Sequence, residues 1–178
     1  MKAYVLLGLA IGMPASAQSP TERSVEEATR FAIEACANHS SGSVPIEGKS
    51  GSQFDAKGLK YQLNPPEFLA STKMTTLGKG EYLKSPSGEG EIWSIGYDSG
   101  GCMVIALAAP TADVEKGLVG FFTQTKGWRS DRPTARARPG ERQLAYAWNP
   151  RRNLKLMVAI GLRDAENTTT VTITRSTS

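Results

Sequence analysis

The stretch GGCMVIALAAP, running from Gly100 to Pro110, decides how this chain folds. Its two glycines follow Asp98-Ser99, a composition that turns a backbone. From Cys102 to Ala108 every residue is apolar, so both faces of the segment seek burial. A strand of that kind belongs in the middle of a sheet rather than at its rim. Pro110 then breaks the run and suits the start of a helix. On the other side of the turn, Trp93, Ile95 and Tyr97 alternate at the period of a strand. The centre of the fold is therefore read as two neighbouring strands joined by Asp98–Gly101.

Outward from this pair the same period recurs. Leu144, Tyr146 and Trp148 share one face of a strand. Leu154, Leu156, Val158, Ile160 and Leu162 form the longest clean alternation in the chain, with a hairpin turn at Asn149–Asn153 between the two. Val171 and Ile173 mark a last strand, and weaker patterns lie at 59–63, 81–84 and 128–132, the last as an edge strand. Two helices are predicted. In the first, Val25, Ala28, Phe31, Ala32, Ala35 and Cys36 recur at helical spacing. Its start falls either at Ser19, with Pro20 in the first turn, or at Ser24, with Glu27 three residues on. The second runs from Pro110-Thr111 to about Thr125 with Val114, Leu118, Phe121 and Phe122 inward, and is stopped by Gly127. A short helix over 67–74 is also read. This order predicts an α+β fold, an antiparallel sheet of about six to eight strands with two main helices packed on one face.

The N-terminus reads MKAYVLLGLAIGMPASAQSP. One lysine, an apolar core too short to span a bilayer, and Ala15-Ser16-Ala17 together predict a cleaved secretory signal over residues 1–17. Residues 18–178 then form a single domain exported to the periplasm or the medium, with no transmembrane segment after cleavage. In an oxidising compartment the two cysteines, Cys36 and Cys102, are read first as a disulfide that ties the N-terminal helix to the central strand. Chain entropy puts such a bridge at about 4 kcal/mol. The alternative is a pair of buried thiols. A Cys-x-x-Cys redox motif is absent, and one histidine, His39, leaves too few ligands for a metal site.

The formal charge of +4 is unevenly spread. Residues 18–125 carry 9 basic against 13 acidic side chains, whereas 126–152 carry 8 basic against 2 acidic. Arg129, Arg132, Arg136, Arg138, Arg142, Arg151 and Arg152 lie in that second segment beside Trp128, Tyr146 and Trp148. Arginine and aromatic side chains together suit an anion or an acidic partner. The plainer reading is a set of solvated strand faces and a loop. Nucleic acid is not expected for an exported protein.

Asp98-Ser99-Gly100-Gly101 looks like the sequence around the nucleophile of chymotrypsin-type serine proteases, but the match ends there. Tyr97 stands where that family has glycine, the chain is too short for two barrels, and nothing around His39 resembles its histidine motif. No nucleophile elbow, phosphate loop, dinucleotide fingerprint or zinc-helix motif is present, and no cofactor is expected. Glu26-Glu27 and Glu89/Glu91 read as solvated acids, and His39 as a structural or surface residue near a helix end, where positive charge is favoured.

Ala15-Ser16-Ala17, the helical stretch Phe31–Cys36 and Cys102 together resemble the small signal-peptide-bearing periplasmic proteins of unknown function found in proteobacteria. That resemblance implies export and a helix-to-strand cysteine pair, and it carries over no catalytic residue. The expectation is a non-catalytic binding or interaction protein that turns its arginine-rich surface toward an acidic protein or anionic envelope component. The alternative is a small hydrolase with a carboxylate-based site.

Overall fold

A computed structural model describes residues 23–47, 53–70, 79–134 and 136–177. The expected signal segment, its cleavage point and the earlier of the two helix starts lie outside the described residues. Helix α1 spans Val25–Ser41 and uses the later start, with the Ser24 hydroxyl accepting from the Glu27 amide. Gly42, in the left-handed region, ends it by donating its N–H to the last carbonyls.

The strands follow the sequence periods closely. They are β1 Lys60–Gln62, β2 Gly80–Ser85, β3 Glu91–Tyr97, β4 Cys102–Leu107, β5 Arg129–Asp131, β6 Arg142–Arg151, β7 Leu154–Arg163 and β8 Thr168–Thr177. Helix α3, Thr111–Gln124, joins β4 to β5, and a single turn of helix, α2 (Glu67–Ala70), stands in place of the longer 67–74 segment, whose remainder lies outside the described residues. All eight strands form one sheet in the order β1-β2-β3-β4-β8-β7-β6-β5, each neighbouring pair antiparallel. Two meanders are thus joined by the last strand in chain order. Two boundaries differ from the sequence reading. Strand β6 continues through Asn149 and Pro150 by way of an irregularity, so the turn shrinks to Arg152-Asn153. Leu63 does not join the apolar face of β1; it is 85% exposed beyond the strand's end.

Helices α1 and α3 lie on one face of this sheet. Against them pack Ile92, Val104, Ala106, Leu156, Val158, Ile160, Leu162, Val171 and Ile173. The helices approach one another closely at Gly117. A Cβ there would come within 2.6 Å of the Glu26 carbonyl oxygen, so only glycine admits this contact. Ser94, buried on β3, donates to the Ala32 carbonyl at 3.0 Å and so locks strand to helix. The disulfide joins Cys36 on α1 to Cys102 on β4, with Cα atoms 5.4 Å apart and both residues fully buried. It therefore pins the first helix to a strand with four sheet neighbours on one side and three on the other. On the opposite face a smaller cluster gathers Ile95, Tyr97, Met103 and Ile105 with Tyr82, Leu107 and Leu69 of α2.

Candidate functional site

His39, read as a structural or surface residue at a helix end, is structural. It sits half-buried in the last turn of α1, over Gly96, where a Cβ would meet its ring at 3.0 Å. The Ile46 amide donates to Nδ1 at 2.9 Å, so the proton is on Nε2, which donates to the Tyr97 carbonyl at 2.9 Å. Burial pushes the imidazole below its ordinary pKa, opposed by the Tyr97 carbonyl and reinforced by the charge of Arg175. The histidine is neutral structural glue, and the helix-end charge expected from its position is overridden by desolvation. Because both ring nitrogens are engaged, His39 is no base for Ser99. The Asp98–Gly101 segment is a turn, closed by Gly100 N–H to the Tyr97 carbonyl at 2.8 Å.

The seven arginines are not one patch. At about 3.4 Å per residue, the ends of β6 stand roughly 30 Å apart, with Arg142 at one and Arg151-Arg152 at the other. Arg142 is occupied by the protein itself. Its Nε and Nη2 grip both carboxylate oxygens of Asp164 at 2.9 and 3.0 Å, and Nη1 reaches Glu115 at 2.9 Å. Thr111 adds a hydroxyl to Asp164 at 2.7 Å. Arg142 and then Thr111 hold the Asp164 carboxyl down to about 2, and Arg142 is itself raised. Arg129, on the outermost strand, and Arg132, Arg136 and Arg138, in the loop that follows it, are exposed. None of these four has an ion-pair partner among the described residues. Arg129 sits on the edge strand, and the other three lie in the loop that joins it to β6.

Near Arg129 the chain builds a concave site not expected from the sequence. Helix α3 ends at Gln124, Thr125 returns its N–H to the Phe121 carbonyl, and Gly127 turns the backbone at φ +103. This reversal brings together aromatic rings from α3, β6 and the turn between α3 and β5. Phe122 lies parallel to Tyr146 at 4.2 Å, Trp128 meets Phe122 edge-on at 4.9 Å, and Trp148 closes on Trp128 at 5.3 Å. Across the gap, α1 presents Glu27, Arg30, Phe31, Glu34 and Asn38 at helical spacing. Between the two walls is a cleft of about 550 Å³. Its acids pair locally, Glu27 with Arg23 at 3.6 Å and Glu34 with Lys57, while Arg30 donates to the neutral Gln124 side-chain oxygen at 2.8 Å. Arg23 also lies over the Phe31 ring at 4.3 Å. Trp128 is 8% exposed, and its Nε1–H finds no acceptor among the described residues. Trp148 faces two ways, lining this cleft and a shallower one that holds Arg129 and Lys155.

No cluster of histidine, cysteine and acidic residues able to hold a metal occurs among the described residues, and none of their helices is long and apolar enough to cross a membrane. Of the acids read as solvated, Glu26 and Glu27 are exposed, and Glu91 pairs with Lys84 and accepts from Trp93 Nε1 at 3.2 Å. Comparison with protein-family models, with curated proteins and with solved structures finds no match to this chain.

Proposed function

We propose that the protein is an exported, periplasmic, non-catalytic binding protein that turns Arg129, Arg132, Arg136 and Arg138 toward an anionic partner or envelope component. One observation carries the reading. Arg142 is consumed by the protein's own carboxylates, whereas these four, on the edge strand and the loop that follows it, stand exposed and without an ion-pair partner among the described residues. Guanidinium groups left unpaired are available for the bidentate contacts that carboxylates and phosphates accept. Export rests on the signal-like N-terminus. A carboxylate hydrolase has less support, because Glu91 and Asp164 are both shifted downward by ion pairs, opposite to what a general acid needs.

The test is flotation with vesicles containing phosphatidylglycerol or only phosphatidylcholine, together with the variant in which all four arginines become alanine. Binding should require the anionic lipid or be competed by a soluble polyanion. It should fall as salt shortens the screening length from about 10 Å at 0.1 M toward about 3 Å at 1 M. Binding that the fourfold variant retains in full would end this reading.

A further inference from the structure

We propose that His39 is an acid-operated latch whose protonation releases Pro45–Glu47 from the sheet. Two bonds hold the latch shut. The Ile46 N–H donates to Nδ1 at 2.9 Å, and the Nε2–H donates to the Tyr97 carbonyl at 2.9 Å. One ring thus ties helix α1 to strand β3 and to the chain that follows the helix.

The ring can do this only while neutral. A proton added at Nδ1 would face the Ile46 N–H across the same 2.9 Å, and two donors make no bond. The ring has little room to turn away. A Cβ at Gly96 would lie 2.8 Å from Ile46 and 3.0 Å from the imidazole, so both side chains rest directly on the strand backbone. The segment is the part that can yield. Pro45 and Glu47 are exposed, and Ile46, 2% exposed, is its buried anchor. Nearer the helix, Ser43 and Val44 donate to the Asn38 carbonyl and keep the root in place when the Ile46 end lifts.

The surroundings favour the neutral ring. Arg175, on β8, opposes a second positive charge, and burial outweighs the pull of the Tyr97 and Gly101 backbones. Glu81, opposite Gly96 on β2, accepts from the Tyr61 hydroxyl of β1 at 2.6 Å. Asp98 of the adjoining turn and Glu47 of the segment itself are exposed. One turn before His39 the disulfide fastens α1 to β4, which keeps the opening local. Release uncovers Ile46, a member of the main apolar cluster, and the sheet backbone at Gly96. Acid therefore converts a buried corner of the core into exposed apolar surface while the rest of the fold stands. The device is independent of Arg129, Arg132, Arg136 and Arg138, and of what they bind.

His39 is the single histidine of the chain, so its ring signal is unambiguous in a magnetic resonance spectrum. The test follows that signal, and hydrogen exchange at the Ile46 amide, in the whole protein from neutral pH downward. The ring should titrate below about 6.5. Opening at Ile46, corrected for the intrinsic pH dependence of exchange, should rise about tenfold per pH unit below that value until the folded ring is itself protonated. Amides of β4 should stay protected over the same range. His39→Gln, whose side-chain amide can accept from Ile46 and donate to Tyr97 at any pH, should hold the segment shut. Arg175→Gln should raise the titration midpoint of the ring and reduce the total gain in opening. Ile46 protection that is unchanged as pH falls overturns the proposal. So does loss of protection at Ile46 and β4 together, or acid opening that persists in His39→Gln. If that variant does not fold, the comparison of Ile46 with β4 in the parent protein decides.

Discussion

Strands β4 and β7 lie one position apart in the sheet, with β8 between them, yet β4 is buried on both faces and β7 on one. In β4, Cys102, Val104 and Ala106 face the helices while Met103 and Ile105 fill the second cluster behind. In β7, Leu156, Val158, Ile160 and Leu162 point inward, and Lys155, Met157 and Ala159 stay in contact with water. The first half of the molecule spends its apolar surface on stability. The second half leaves one face of β7 open to water and carries the arginines of residues 126–152, and it supplies one wall of the aromatic cleft whose other wall is α1.

The strongest way to break this comparison is to remove the bridge that anchors the first half. Reduction, or Cys36→Ala with Cys102→Ala, should cost about 4 kcal/mol in chemical unfolding, since the closed loop spans 66 residues. A loss near zero would mean that packing alone places α1. Next come matched truncations in the two halves. Ile105→Ala, at a fully buried site, should cost about 3 kcal/mol, and Met157→Ala, 41% exposed, under about 0.5 kcal/mol. Equal costs would erase the distinction.

Acid should then loosen the first half before the second. His39 is neutral in the folded protein with its pKa lowered, so its contribution is complete above about 6.5 and is lost as pH falls below that. The melting temperature should begin to fall there, and His39→Gln should remove that early slope. The smallest effect belongs to the second half. The contribution of Asp164 is intact above 3.8 and disappears as pH drops toward about 2, and Arg142→Ala should abolish that late step with little change at neutral pH. A single acid transition, common to both variants, would show the halves to be one unit.

Much of the frame could be read from residue order. The unbroken apolar run at Cys102 announced a doubly buried strand, and the alternation from Leu154 to Leu162 a strand buried on one side. The cysteine pair followed from composition and from the export expected of the N-terminus. The sheet order did not follow, because period two is silent on which strand lies next to which, and nothing in Val171 or Ile173 says that β8 inserts between β4 and β7. For His39 the helix end suggested a favoured charge, and only the third dimension showed that Gly96 and Ile46 half-bury the ring. Arg142 looked like its six neighbours until the turn at Asp164 came within reach. The cleft was hidden most completely, since Phe31, Phe121 and Trp148 come from three elements and Trp128 from a turn, and nothing in their order says that they meet.

The placing of β8 also governs the order of assembly. The hairpins β3–β4 and β6–β7 can form from near neighbours in the chain, but each then ends in an unpaired strand, and these two raw edges become one sheet only when residues 168–177 arrive between them. Until that moment the chain holds two sticky templates open to any extended segment. The closing step is slow in kind, because β4 must wait for a partner more than sixty residues downstream. A nascent or clipped chain ending before Thr168 would be the form most prone to aggregate, and a peptide copying Thr168–Thr177 the natural reagent to rescue it.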